Sequence, residues 1–137
     1  MTAAPPRPPD LSIVMPCYNE EEVVVYTIPQ LVEAFTKAGF QLELVAVDNG
    51  SKDKTGEILQ GFAGRGLPVV PTRVEVNQGY GNGVLHGLPL CSARWVGIIP
   101  ADGQVDAEDV VRLFAAVHTT KGLSGCAVSA GPILSAG

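Results

Sequence analysis

Residues 11–50 read LSIVMPCYNEEEVVVYTIPQLVEAFTKAGFQLELVAVDNG, and their reading decides the fold. Residues 11–15 are a short, mainly apolar run closed by Pro16. A continuous run, rather than an alternating one, suits a strand covered on both faces. Glu20, Glu21 and Glu22 then open a stretch with helical spacing, where carboxylates favour the helix dipole. Gly39 supplies a stop. Pro29 falls inside this stretch, so the sequence predicts either a break there or a helix proper that begins at Pro29. Residues 42–47, LELVAV, form a second buried strand. Strand, helix and strand in this order make one parallel crossover unit.

The same alternation continues outward. DNGS, 48–51, reads as a turn, with Ser51 as a helix cap, and KDKTGEILQGFAG, 52–64, as a weaker helix. VVPTRVEV, 69–76, is a third strand that Pro71 places at an edge or shortens. The glycine-rich NQGYGNG, 77–83, leads into a segment helical up to Pro89. RWVGII, 94–99, is a fourth strand, with Trp95 in the core at its start. DAEDVVRLFAAVH, 106–118, is the cleanest helix. Asp106 is its N-cap, Asp109 stands at N3, and Val110, Leu113, Phe114 and Val117 form an apolar stripe. CAVSAG, 126–131, reads as one more strand.

This pattern predicts an α/β domain, a mainly parallel sheet with helices on both faces. Residues 1–10 form a Pro-rich tail, 11–130 the domain and 131–137 a C-terminal tail. The Gly-, Ser- and Ala-rich ending does not read like the close of a domain, so an incomplete C-terminal half is expected. Ligands of such sheets bind at the carboxyl ends of the strands. Four polar loops fall on that edge: 16–20, 48–51, 77–82 and 102–104.

Composition narrows the function. The net charge of −5 comes with no block of Lys or Arg, which argues against nucleic acid as a partner. Cys17, Cys91 and Cys126 are widely spaced and form no CxxC pair, so neither a zinc site nor a disulfide framework is expected. The start, MTAAPPRPPD, lacks the apolar region of a signal peptide. No run approaches the about 20 apolar residues of a transmembrane segment. A cytoplasmic chain is expected. His86 and His118 have no partner motif and read as structural.

Each polar loop also has a physical reading of its own. Tyr18 could lie against a base, while Asn19 caps the following helix. Glu20 could accept hydrogen bonds from ribose or a base edge. Asp48 could accept from the imino and amino groups of uracil or guanine, or from ribose. The glycines of 77–83 allow close backbone approach to a ligand, but the segment is neither a P-loop nor a dinucleotide fingerprint. Asp102 and Gln104 follow the fourth strand.

Taken together, VMPCYNEEE, VAVDNGSKDKT, NQGYGNG and IIPADGQVDAEDV resemble, in order and spacing, the family-2 glycosyltransferases. The nearest look is to the dolichol-phosphate mannosyltransferase-like and polyprenyl-phosphate branch. The resemblance covers about residues 11–118. It implies a GT-A fold and transfer of sugar from a UDP- or GDP-sugar to an acceptor such as a polyprenyl or dolichyl phosphate. It implies that Pro16, Tyr18, Glu20, Asp48, Asn49, Gly79 and Asp102 bind the nucleotide-sugar. Asn49 stands where the family's D-D-G-S motif carries its second Asp. The resemblance also implies a Mg²⁺ or Mn²⁺ site at Asp102 and Gln104, which match the second Asp and the Gln of D-A-D-x-Q. Pro100 occupies the place of the first Asp, so a weak site is expected. The cation would neutralise charge on the departing nucleoside diphosphate. The general base would lie beyond this region. A lipid acceptor implies work at the cytoplasmic membrane face, with peripheral association. The alternative is a truncated or degenerate nucleotide-binding module without catalysis.

Overall fold

The computed structural model describes residues 8–118 and 127–129. In chain order the elements are β1 (Leu11–Cys17), α1 (Glu21–Lys37), β2 (Leu42–Asn49), α2 (Thr55–Gly64), β3 (Val69–Val74) and α3 (Tyr80–Gly87). A 3₁₀ turn (Leu88–Leu90), β4 (Trp95–Ile98), α4 (Ala107–His118) and β5 (Ala127–Ser129) follow. The strands form one sheet in the order β3-β2-β1-β4-β5. All four pairings are parallel. The expected strand within 126–131 is therefore present as β5, on the far side of β4.

Alternation along β1 explains how both faces are filled. Leu11, Ile13, Met15 and Cys17 point into the larger core. There they meet Val24, Ile28, Leu31 and Phe35, which lie on one face of α1 at helical spacing. Leu59 and Phe62 of α2 and Val110 and Phe114 of α4 join the same core. Val14, Val45 and Val47 point the other way, under α3. Gly87 lets α3 lie close: a Cβ there would stand 2.7 Å from Val14 Cγ1. Each fully buried Leu, Ile or Phe contributes about 1.5–3 kcal/mol.

The C-terminal end of α1 follows the sequence. Gly39 takes φ +83, its N–H donates to the Thr36 carbonyl, and the Phe40 N–H donates to the Phe35 carbonyl. This paired closure seats Phe40 beside Phe35, with ring centroids 6.3 Å apart. Phe114 completes the cluster at 5.0 Å from Phe40, and His118 stacks beside it at 5.1 Å.

Two expectations about α1 are corrected. The helix runs unbroken from Glu21 to Lys37 through Pro29. The proline deprives only the Val25 carbonyl of its donor, and Val25 lies on the exposed side where water can replace it. The cap is not Asn19. Its φ is +52, and its Oδ1 accepts the Lys52 N–H at 2.9 Å. The N–H groups at the start of α1 go instead to Asp53 and Thr55, where the chain enters α2. Glu20 N–H donates to Thr55 Oγ1 at 2.9 Å and Glu21 N–H to Asp53 Oδ2 at 3.2 Å. Nor does Ser51 cap α2, which starts at Thr55. Its hydroxyl accepts the Asn19 N–H at 2.9 Å and donates to the Cys17 carbonyl at 3.4 Å. At the fourth helix, Asp106 does cap: its Oδ1 accepts the N–H groups of Glu108 and Asp109.

Candidate functional site

The strand order reverses at β1. The chain steps from β1 to β2 and β3 on one side, then crosses to β4 on the other. Such a switch point leaves a crevice outside the carboxyl ends of the strands. The loop after β1, carrying Tyr18 and Glu20, and the loop after β4, carrying Asp102 and Gln104, flank that crevice.

The first two loops are locked together. Asp53 Oδ1 accepts both the N–H and the hydroxyl of Thr55, while its Oδ2 accepts from Glu21. One carboxylate thereby serves the starts of two helices. Burial alone would raise the Asp53 carboxyl, but the hydrogen bonds from Thr55 and Glu21 outweigh it and hold it below its usual range.

Asp48 closes β2 and is 2 % exposed. Its Oδ1 accepts the Ser51 N–H at 3.0 Å. Its Oδ2 accepts from Arg73 Nη1 at 2.5 Å. Arg73 also lies 3.5 Å from Glu75 and is itself half exposed. The pair lines a cavity of about 550 Å³ with Ser51, Asp53, Gly56 and Thr72. Its wall therefore offers a guanidinium beside a carboxylate, a donor next to an acceptor, and Arg73 is the more accessible of the two.

Arg73 and Asp53 are the residues that motif reading missed. The available signal for Arg73 was a lone arginine in an apolar strand, opposite Asp48 in register. For Asp53 the local signal was Thr55 two residues on; its bond to Glu21, 32 residues away, had none.

The remaining expected residues sort as follows. Pro16 lies within β1, paired with Val47, and a Cβ on Gly83 would stand 3.3 Å from its ring. Tyr18 is exposed at the crevice. Asn49 is buried and donates from Nδ2 to the Gly79 carbonyl at 3.1 Å. Gly79 precedes α3 with φ +105, a conformation that side chains resist. Tyr80 follows it, exposed about as much as Tyr18; partial burial raises its phenol first, then the nearby Asp102 carboxylate.

Asp102 and Gln104 are joined through the backbone: the Gln104 N–H donates to Asp102 Oδ1 at 3.1 Å. Gly103, at φ +79, makes this tight loop, which leans on Val23 of α1. Glu20 belongs to the same neighbourhood. Its carboxyl is raised by burial, then by the charges of Asp102 and Asp53. Among the described residues no group of three or more His, Cys, Asp or Glu could by itself hold a metal ion. Asp102 offers one carboxylate and Gln104 one amide oxygen, hard oxygen donors of the kind that Mg²⁺ and Mn²⁺ take.

Cys17 ends β1 beneath this site. Burial, then Asp48 and Glu20, push its thiol far above the usual range, so it is no nucleophile at neutral pH. It donates to the Met15 carbonyl at 3.3 Å.

A doubly covered parallel sheet with polar loops at its switch point defines an α/β domain built to hold a ligand at its carboxyl edge. The chain belongs to glycosyl transferase family 2, whose model matches residues 12–130. The undecaprenyl-phosphate 4-deoxy-4-formamido-L-arabinose transferase of Pseudomonas fluorescens is 34% identical over 106 residues, 77% of this chain and 31% of that protein. An uncharacterised glycosyltransferase of Mycobacterium tuberculosis is 36% identical over 105 residues, 77% of this chain and 42% of the relative. The chain thus spans about a third of the length of the curated relatives it matches. Among solved structures, the mannosyltransferase PcManGT of Pyrobaculum calidifontis, in complex with GDP-Man and Mn²⁺, superposes with TM-score 0.70 at 20% identity. That match covers 84% of this chain and 34% of the other. S. aureus TarS 1–349 in complex with UDP-GlcNAc superposes with TM-score 0.62 at 23% identity, over 80% of this chain and 32% of that one. The fold is the Rossmann-like GT-A fold.

Proposed function

We propose that this chain forms the donor-binding part of a glycosyltransferase that takes sugar from a UDP- or GDP-sugar. The observation that carries this is the Asp48–Arg73 pair near the carboxyl ends of β2 and β3, in the wall of a cavity of about 550 Å³ between α2 and β3. Uracil and guanine both carry an imino N–H beside a carbonyl oxygen. The half-exposed guanidinium donates to the carbonyl, and the buried carboxylate holds that guanidinium in place. Pro16, Tyr18, Glu20, Asn49 and Gly79 lie outside that cavity's lining, and their part in holding the nucleotide-sugar rests on the family resemblance.

Asp102 and Gln104 would hold Mg²⁺ or Mn²⁺ together with the donor's diphosphate. The cation would stabilise the charge of the leaving nucleoside diphosphate. An acceptor oxygen attacks the anomeric carbon, and the bond from that carbon to the diphosphate breaks. The relatives named for undecaprenyl phosphate support a polyprenyl-phosphate acceptor. Such an acceptor implies work at the membrane surface. Among the described residues no helix is long and apolar enough to cross a membrane. Residues 11–130 act as the domain unit in this reading.

One observation favours a second reading, a nucleotide-binding module without catalysis: Pro100 stands where the family's first metal carboxylate would stand. Titration calorimetry with UDP and GDP, with and without Mn²⁺, tests the donor reading. Binding of one nucleotide, tightened by Mn²⁺ and blind to Mn²⁺ in Asp102→Ala, is expected. No binding of either nucleotide in any condition overturns it. Transfer of sugar to a polyprenyl phosphate separates the enzyme from the module.

A further inference from the structure

Asn49 is unusual among the residues of this edge, because only half of its amide is used. The residue is 3 % exposed at the end of β2. Nδ2 donates to the Gly79 carbonyl at 3.1 Å. Oδ1 is fully buried without a hydrogen-bond partner among the described residues. A buried acceptor left unmade is costly. Rotating the amide would not relieve it, because Oδ1 would then face the Gly79 carbonyl, oxygen against oxygen.

What the donor half holds is specific. Gly79 is the residue before α3, and its carbonyl also accepts the Gly83 N–H at 3.2 Å, the bond that starts the helix. Gly83 lies directly over Asn49: a Cβ there would stand 3.0 Å from Nδ2. Gly50 packs against the other end of the same loop, where a Cβ would stand 2.6 Å from the Asn77 nitrogen. Loop 77–80 is therefore fitted onto the end of β2, with one side-chain hydrogen bond from Asn49 fastening it.

We propose that Asn49 is a positioning residue. Its neutral amide donor fastens the Gly79 carbonyl, and with it the start of α3 and Tyr80, to the edge of the sheet. A carboxylate at this position, the residue of the family's D-D-G-S pattern, would release them. It has no proton to donate, it would face a carbonyl oxygen, and its charge would be buried. Here the family-like residue is the damaging one. The link to nucleotide binding rests on the proposed function; the link to loop order does not.

The test uses the full chain and compares wild type, Asn49→Asp and Asn49→Ala by amide hydrogen exchange. Segment 77–83 is the reporter and segment 11–17 the internal reference. At neutral pH both variants should exchange about tenfold or more faster in 77–83 while 11–17 keeps its protection. Lowering the pH to about 5.5 protonates a buried carboxyl, whose acidity burial has weakened, and restores a donor. Relative to wild type at each pH, Asn49→Asp should then recover protection, and Asn49→Ala should not. The ratio cancels titration of the ionisable groups on adjoining elements: Cys17 on β1, Asp48 on β2, Arg73 on β3, Tyr80 and His86 on α3, and Glu20, Glu75 and Asp102 in loops.

UDP and GDP affinity should follow the same order. If wild type binds neither nucleotide, the functional reading fails, while the exchange data still decide the role of Asn49. Wild-type protection of 77–83 in both variants at neutral pH overturns the proposal. If the aspartate variant unfolds at neutral pH, Asn49→Ala decides: it must lose protection in 77–83 alone. Equal recovery of both variants in acid also overturns the proposal.

Discussion

Arg73 and Asp48 meet across adjacent strands, Nη1 to Oδ2 at 2.5 Å, at positions that pair in the β2–β3 register. The carboxylate is buried and the guanidinium half exposed, so the arginine serves the aspartate more than the reverse. Arg73→Ala leaves a buried carboxylate with only the Ser51 N–H. A loss of about 1.5–3 kcal/mol is expected in urea unfolding, the range of a hydrogen bond to a charged group. Arg73→Lys should recover only part, because a lysine supplies a point charge without the planar fork. A loss under about 0.5 kcal/mol, the scale of an ordinary surface change, would show that the pair is not structural.

Gly56 tests the same pair from the helix side. It is the second residue of α2, and a Cβ there would run into Asp48 Oδ2. Helix propensity alone predicts that Gly56→Ala stabilises by about 1 kcal/mol. The carboxylate cannot yield without losing Arg73, so net destabilisation of about 1–3 kcal/mol is expected, the usual cost of overpacking. A raised melting temperature would show that Asp48 has room to move.

Asp53 makes stability depend on acid. Its folded carboxyl is held below the usual range, so its contribution is complete at neutral pH. That contribution falls away as pH drops through the lowered folded value, because the proton then binds the unfolded chain more readily. In Asp53→Asn, urea midpoints should fall at pH 7 and converge on wild type in strong acid. Since the carboxylate serves both α1 and α2, helical signal should be lost from both together. A midpoint difference that stays constant across this range would contradict the linkage.

The sheet was legible because each strand is an apolar run of strand length, and Pro71 correctly marked β3 as an edge. The Gly39 stop and the Asp106 cap were legible because both motifs are local. Pro29 misled because the cost of a proline depends on whether the orphaned carbonyl is solvated, which sequence does not state. Asn19 and Ser51 misled for a related reason. Either could cap its own helix, but the loops lie close enough to exchange partners 32 residues apart. Arg73 is the clearest case. Its role exists only because β3 lies beside β2 in one register, and that alignment is a tertiary fact.

Pro100 offers a gain-of-function test of the proposed metal site. Asp102 supplies one carboxylate there, with Oδ1 already accepting the Gln104 N–H. Pro100→Asp adds the second carboxylate of the family pattern. Mg²⁺ and Mn²⁺ sites commonly combine one or two carboxylates with phosphate oxygens. The Mn²⁺ concentration that half-enhances nucleoside diphosphate binding should drop by about tenfold, the effect of about 1.4 kcal/mol. Carbon-detected titration of Glu20 gives an independent readout. Its raised carboxyl should move toward the ordinary range in Asp102→Asn, which removes one of the charges that raise it. No movement would place Asp102 too far from Glu20 to share a site.

Gly79 and Gly81 separate backbone strain from steric room in the third loop. Neither would meet an atom within 4 Å if given a Cβ, so space does not distinguish them. Conformation does. Gly79 stands at φ +105, outside what an L side chain adopts readily, whereas Gly81 lies inside α3 with ordinary helical backbone. Gly79→Ala should therefore cost about 1–3 kcal/mol, the range for a non-glycine residue forced into a sparsely populated region. The loss should weaken nucleotide binding as well, since the Gly79 carbonyl is the anchor for Asn49. Gly81→Ala should stabilise by about 0.5–1 kcal/mol by narrowing the unfolded ensemble. Thermal melts of the two variants give opposite signs if the loop is held by backbone geometry. Two changes of the same sign would mean that α3 does not begin where Gly79 turns the chain.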